Sequence, residues 1–569
     1  MTEFLLVFAL AIALGWPLGR YLAAVMRGAP MRGDRLFGLV ERPLYALLGV
    51  DPSRGMGWKG YAKAFLLSNL VLGVIVWLVL MTQAWLPLNP NGIPNMRWDL
   101  ALHTMVSFLT NTNQQHYSGQ AQLSYLAHAS AIVGLQVITP MMGLALVAAT
   151  LRGLFGGRGK SAATTDTTTN GEADVGNYWA DVIRPTVRFL LPLCLVWSLA
   201  LTSQGVPATW DGGPVATPID ASAEMPEQKI PLGPVSPMVA VKQLGTNGGG
   251  WYGPNSAVSL ENPTPFSNLL ETLALILIPV SIAFMVSGFT GRRKFTALVF
   301  GTMLTMSVIS TGAAVWSESY SATSSDIALM EGKEVRFGAA PSALWSALTT
   351  QTSNGSVNAM HDSLAPLTGL VTISNMLVNS IWGGIGCGLQ QFLVYLLLSV
   401  FLAGLMTGRT PELFGRKIEA HEVKLLAALV LLQPLALLAF TAITLAVPSI
   451  TGNSNPEFHG ISQVFYEYVS AFANNGSGFE GLGDATYWWN LSASLMLALG
   501  RYPALIIPLA IAGSLARKRA TPEGPGTLQV ETPTFALTLI AVVAILTLLQ
   551  FMPVLVLGPI ADHLALSAL

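Results

Sequence analysis

The sequence predicts an all-α, polytopic membrane protein of about ten transmembrane helices. Eight of them fall into four pseudo-symmetric units of span, short helix and span, with one extra helix at each end. Three observations lead there. The 569 residues are 52% hydrophobic and only 10% charged, whereas a soluble globular chain carries about 25% charged residues. Ten apolar runs are long enough to cross the ~30 Å hydrocarbon layer. Four loops between those runs share one pattern, a short amphipathic stretch ending in small, polar, asparagine-containing residues.

The first run, 2–26, lacks the basic leader of a signal peptide and carries Glu3, so it reads as a retained helix outside the units. The units follow at 61–151, 184–290, 294–407 and 422–515, and the last extra helix at 533–559. The run 366–407 is too long for one straight helix and contains Gly383, Gly384, Gly386 and Gly388, so a break is expected there. Stretches 27–63, 152–188, 292–294, 409–424 and 517–519 hold 7, 5, 3, 4 and 3 Lys or Arg, which puts 22 of the 29 cations on one side. The positive-inside bias makes that side cytoplasmic and both termini extracytoplasmic. The polar, low-complexity connector 156–176 reads as a mobile cytoplasmic linker, and the Pro- and Gly-rich stretch 205–240 as an extended outer cap. Cys194 and Cys387 stand in apolar runs and are expected to pack as small hydrophobes. The formal net charge of −1 leaves no basic surface for nucleic acid.

The four shared motifs are Thr110-Asn111-Thr112-Asn113, Thr246-Asn247-Gly248-Gly249, Thr352-Ser353-Asn354-Gly355 and Asn474-Asn475-Gly476. Aligning Asn111, Asn247, Asn354 and Asn475 gives spacings of 136, 107 and 121 residues. The stretch before each motif is roughly ten to fifteen residues, or ~15–22 Å as helix, enough to enter the membrane and stop near its middle. Ser236-Pro237 and Pro341-Ser342 read as helix starts, by a Ser cap or a Pro in the first turn. Each helix would point its partly negative C-terminal end at a common axis. Non-helical backbone at that depth is tolerated only when it is enclosed by protein or lines a pore. The motifs contain no carboxylate, so the ligands would be neutral oxygens, which suit a weakly hydrated monovalent cation, potassium first. Thr112 stands where the other motifs have Gly248, Gly355 and Gly476, so the first loop is expected to coordinate less symmetrically.

Several charges call for comment. Arg501 lies mid-span, where a charge costs roughly 2.5–3.5 kcal/mol, and should find loop carbonyls or a carboxylate. Arg20 can snorkel to the cytoplasmic end. Arg409 is either a cytoplasmic flank or a cationic barrier beneath the cavity. Glu271, Glu480 and Asp484 are candidates for the outer mouth. The stretch 153–161 imitates a phosphate loop, but Leu154 occupies the place of its first glycine. The phosphorylation motif DKTG of P-type ATPases is absent. No ATP site is expected on the chain, and energy would come from a partner.

The four motifs in this order resemble the potassium-channel-derived transporter superfamily, and GRTPELFGRKIE at 408–419 resembles the linker after the third unit in one family within it. Within it, the chain is similar to the A-subunit family of the Kdp potassium-importing P-type ATPases over essentially its whole length. The resemblance implies a bacterial cytoplasmic (inner) membrane subunit that takes K+ through a four-loop selectivity filter. It would pass the ion by an intramembrane tunnel to an ATP-hydrolysing P-type B subunit, with small C and F subunits completing the complex. Arg409 corresponds to the arginine of that family's GRTPE segment, which makes it a barrier candidate, while Arg501, from its mid-span position, is a candidate for supporting or gating the pore. The rival readings are an autonomous Trk/Ktr-type potassium channel or symporter and a membrane redox or scaffold subunit. Ten spans and the 408–419 segment disfavour the first, and the scattered histidines the second.

Overall fold

The computed structural model describes residues 2–156, 173–220, 225–324, 327–522, 524 and 527–567. Ten helices in it are long and apolar enough to span a membrane: Thr2–Met26, Trp58–Trp85, Ala127–Phe155, Tyr178–Ser203, Pro265–Thr290, Arg293–Tyr320, Cys387–Met406, Ala420–Ala446, Tyr487–Ala516 and Pro533–Ser567. They match the ten apolar runs of the sequence. Most of the 156–176 connector lies outside the described residues. Of the outer stretch 205–240, the described residues before Val235 form no helix and include a small antiparallel pair, Val215–Ala216 with Gln228–Lys229, whereas 235–240 are not extended but begin the helix Val235–Leu244.

Burial sorts the spans into an inner and an outer set. In their most apolar windows, Pro265–Thr290 is 83% buried and Ala420–Ala446 is 22% buried. The inner spans are therefore surrounded by protein, while the outer ones present Leu431, Leu435 and similar side chains to the lipid. Thr2–Met26 lies along Pro265–Thr290 through small residues. A methyl group at Gly19 would sit 2.4 Å from the Ser281 carbonyl oxygen, so the two backbones approach more closely than any larger residue allows.

Four short helices interrupt the span pattern: Trp98–Leu109, Val235–Leu244, Ala339–Gln351 and Glu457–Ala473. Each lies between two consecutive apolar runs, and the first and last spans stand outside this arrangement. The fourth is 17 residues, longer than the expected ten to fifteen. Pro237 and Pro341 do fall in first turns. The neighbouring serines do not cap: Ser236 Oγ donates to the Ser198 carbonyl and Ser342 Oγ to the Gly338 carbonyl.

The run 366–407 is broken as expected, into Pro366–Val378 and Cys387–Met406. Asn379 ends the first half in a left-handed conformation. The stretch 379–386 then crosses beneath the short helices. The Trp382 and Gly383 amides donate to the Gln351 carbonyl at 3.2 and 2.7 Å, and the Ile385 amide donates to Thr246 Oγ1 at 3.1 Å. Gly386 is required here: its φ is +83°, and a Cβ would lie 2.1 Å from the Gly143 carbonyl oxygen.

Candidate ion-binding site

The C-terminal ends of the four short helices and the loops after them meet in one place. In each loop one backbone amide reaches back five residues to a helix carbonyl: Thr112 to Ser107 (3.0 Å), Asn247 to Lys242 (3.0 Å), Asn354 to Thr349 (3.1 Å) and Asn475 to Ser470 (2.9 Å). Each of these residues is flanked by positive φ. Before it come Asn111 (+63°), Thr246 (+49°), Ser353 (+51°) and Asn474 (+55°). After it come Asn113 (+57°), Gly248 (+66°), Gly355 (+86°) and Gly476 (+103°).

This common backbone corrects the sequence alignment by one residue in the first loop. Thr112, not Asn111, is the equivalent of Asn247, Asn354 and Asn475. Asn113, not Thr112, stands where the other loops have glycine. The expected difficulty of a left-handed threonine does not arise. Asparagine adopts the left-handed region more readily than most residues, because its short amide can bond locally.

The loops form a closed ring in chain order. A Cβ at Gly248 would lie 2.1 Å from the Asn354 carbonyl oxygen, one at Gly355 2.0 Å from that of Asn475, and one at Gly476 2.2 Å from that of Thr112. At the remaining seam, between the first and second loops, a Cβ at Gly249 would lie 3.1 Å from Asn113 Cβ. Side chains tie the ring from behind. Asn354 Nδ2 donates to the Lys242 carbonyl and Asn475 Nδ2 to the Thr349 carbonyl, both at 2.8 Å. Asn111 Nδ2 donates to the Thr246 carbonyl at 3.0 Å. Thr110 and Thr112 pair through their hydroxyls at 2.8 Å. Thr352 turns inward to its own helix, its Oγ1 donating to the Leu348 carbonyl.

Residues that the motif reading missed hold the ring. Gln136 and Thr139 of the third span donate to Asn113 Oδ1 (3.0 Å) and Asn111 Oδ1 (2.9 Å). Asn379 of the break accepts from Ser353 Oγ at 2.8 Å and donates to the Ala473 carbonyl at 3.2 Å. Polar side chains inside apolar runs were the available signal. Lys242, fully buried at the end of the second short helix, is neutralised by Glu261 and bonded to Asn255. It therefore adds no net positive charge to the ring.

Outside the ring lies a cavity of about 140 Å³, whose wall includes Asn113, Gly355, Gly476, Glu467, Glu480 and Asp484. Glu480 and Asp484 thus line this cavity. Removal from bulk water pushes the Glu480 carboxyl up to about 8, against the pull of the Asp362 amide that it accepts. Glu271 does not join them. It is buried behind the second short helix, where Gln243 Nε2 and Ser256 Oγ each donate to it at 2.8 Å.

The family model described as potassium-transporting ATPase A subunit matches residues 5–564. The chain belongs to that family. A potassium-transporting ATPase potassium-binding subunit of Gloeobacter violaceus is 46% identical over 561 residues, 96% of this chain and 95% of the relative. Like-named proteins of Synechocystis sp. and Pseudomonas putida are 43% and 42% identical, each over 99% of this chain and 98% of the relative. The potassium transporter TrkH from Vibrio parahaemolyticus is similar in structure with a TM-score of 0.49 and 15% identity, over 87% of this chain and 97% of that one.

The two arginines singled out in this family member differ in setting. Arg501 is 2% exposed. Its guanidinium contacts Cys387 Sγ and donates to the Thr139 carbonyl at 3.3 Å, so its partners are a span carbonyl and a thiol rather than loop carbonyls or a carboxylate. Cys387 is therefore more than a packing residue, whereas Cys194 is simply buried. Arg409 is exposed after the seventh span and donates to the Thr527 carbonyl at 3.0 Å. Arg501, not Arg409, reaches the helix residue that directly follows the break beneath the ring.

Proposed function

We propose that this chain is the potassium-selecting subunit of an ATP-driven uptake complex in the bacterial inner membrane. K+ would enter from outside through a filter built by Thr110–Asn113, Thr246–Gly249, Thr352–Gly355 and Asn474–Gly476. The common register of the four loops carries this reading. In each, backbone of alternating handedness lets consecutive carbonyls face one axis, and a weakly hydrated cation can exchange water for them. Four helix C-termini, each worth about half a negative charge, favour the cation without fixed carboxylates that would hold it too tightly. The units 61–151, 184–290, 294–407 and 422–515 would supply one quarter of the filter each, with 2–26 and 533–559 as the extra helices and both termini outside.

The chain binds and passes the ion and does not itself hydrolyse ATP. The ATP-hydrolysing B subunit would receive K+ through an intramembrane tunnel, with the small C and F subunits completing the complex. Below the filter, the 379–386 break closes the straight path to the cytoplasm, and Arg501 positions it through Cys387. Arg409, at the exposed end of the seventh span, is the weaker barrier candidate.

The test uses the complex purified gently from its own membrane, with hydrolysis measured against K+ and Na+. Potassium-stimulated hydrolysis by a co-purifying partner is expected, and Gly249→Asp or Gly355→Asp should degrade discrimination against Na+. Unchanged selectivity and affinity in both variants would sink the filter assignment.

A further inference from the structure

The outer cavity borders a second cluster that the filter does not use. His116, Glu467 and Asp484 come from the first loop, the fourth short helix and the loop after it. Their ligand atoms all lie within 4.8 Å of one another. His116 is buried, and the hydrogen-bond chain behind it fixes its tautomer. Asn490 Nδ2 donates to Asp99 Oδ2 at 2.8 Å, because a carboxylate can only accept. Asn490 Oδ1 is thereby left facing His116 Nδ1 at 2.7 Å, so Nδ1 carries the hydrogen. The lone pair of the neutral ring is then on Nε2, which has no hydrogen-bond partner and lies 3.4 Å from Glu467 Oε1.

A lone pair facing two carboxylates is unfavourable unless something positive sits there: a proton, which Asp484 and Glu467 favour on this ring against the effect of burial, or a metal cation, for which Glu467 Oε1 keeps a lone pair beside the one that accepts from Gln114 Nε2. The observed 3.4 Å separation is that of two ligands held about 2.1 Å from a tetrahedral metal. An imidazole whose other nitrogen is anchored to an amide and, through it, a carboxylate is the usual second layer of such a ligand. Asp484 and Glu467 both line the cavity, so an ion can arrive from outside.

We propose that His116, Glu467 and Asp484 form an extracytoplasmic site for a borderline-soft divalent cation of the Zn2+ class. One nitrogen and two carboxylate oxygens would come from the protein and the remaining ligands from water. Its effect on transport rests on the filter reading above. A divalent ion there would share the cavity with Gly355 and Gly476 and oppose K+ entry.

The experiment takes the untagged full complex, stripped by chelator, and measures Zn2+ binding by equilibrium dialysis for the parent, His116→Gln and Asp484→Asn. One Zn2+ per chain is expected, weakened at least tenfold in each variant, and zinc-edge absorption should show one imidazole and oxygen neighbours. Asp484 is less buried than His116, so its variant keeps the test alive if His116→Gln does not assemble. No binding, or binding indifferent to both changes, overturns the site and leaves His116 a protonated counter-ion of the two carboxylates. Zn2+ that binds without slowing K+-stimulated hydrolysis supports the site and counts against the cavity as the filter's entrance. Intact filter-variant effects without Zn2+ binding overturn the metal site alone.

Discussion

At Gly476 an added methyl group would meet the Thr112 carbonyl oxygen at 2.2 Å, and the seams at Gly248 and Gly355 are equally tight. At the corresponding place in the first loop, Asn113 carries a whole carboxamide, held by Gln136. The second loop makes room for it. Gly249 faces Asn113 where the third and fourth loops have Ser356 and Ser477 in the matching position. Three seams thus close backbone against backbone, and the fourth closes a side chain against a glycine. The ring is fourfold in its backbone and not in its chemistry, which a single chain permits and four identical subunits would not.

The largest effect is expected from closing a tight seam to any Cβ. Gly355→Ala puts a methyl 2.0 Å from the Asn475 carbonyl oxygen at a φ of +86°. The left-handed conformation alone costs an L-residue roughly 1–2 kcal/mol, and the overlap must displace the fourth loop as well. With about 1.4 kcal/mol per tenfold, the K+ concentration for half-maximal hydrolysis should rise at least tenfold and discrimination against Na+ should fall. A variant indistinguishable from the parent would mean that these seams do not set the ion site.

Much of this architecture is legible in the sequence. Apolar runs fix helices because backbone groups in lipid must bond within their own segment, so ten spans and the glycine-marked break could be read directly. The loops were recognisable because glycine, asparagine and threonine must serve left-handed backbone. The register of the first loop was not legible. Asparagine occurs at both Asn111 and Asn113, and identity favoured the former while φ favours the latter. Nor could sequence pair Arg501 with Cys387, Gln136 with Asn113, or His116 with Glu467 and Asp484. Those contacts join residues between 23 and 368 positions apart, and no periodicity connects them.

The unlike seam can be tested by coupling. Gly249→Ala crowds Asn113 Cβ at 3.1 Å and also holds a positive φ of +74°. Asn113→Gly removes the crowding and the Gln136 bond but not the φ cost. In a double-mutant cycle on K+ affinity, Gly249→Ala should cost less in the Asn113→Gly background, by about 0.5 kcal/mol or more for groups in contact. Strict additivity would show that the two residues do not share a seam.

A smaller effect separates the cavity from the ring. Glu480 has its carboxyl raised to about 8, so it is mostly protonated at neutral pH and ionises as pH rises through that value. Apparent K+ affinity should therefore strengthen between pH 7 and 9. The change should be roughly twofold, the size of one screened charge worth about 0.5 kcal/mol at ~8 Å in water. Glu480→Gln should flatten that rise and leave selectivity alone. Stability runs the other way: the proton held in the folded state makes this group's contribution fall as pH climbs from about 4.5 towards 8.

The least effect on ion handling is expected far from the ring, at His459. Its Nε2 lies 2.8 Å from Asp362 Oδ1 and its Nδ1 3.0 Å from Asp562 Oδ2, joining the third outer loop, the fourth short helix and the last helix. Burial works against the charged ring, but the two carboxylates outweigh it and raise its pKa to about 9. A raised histidine stabilises the fold fully below its unfolded value near 6.5, and the contribution disappears as pH rises through about 9. His459→Gln should therefore lower the thermal unfolding midpoint of the complex at pH 7, for a loss of about 1–2 kcal/mol. The midpoint should match the parent at pH 10, and K+ selectivity should not change at either pH. A change in selectivity would mean that the position of the last helix is transmitted to the fourth loop. The asymmetry of the ring would then extend beyond the Asn113–Gly249 seam to the helices that carry it.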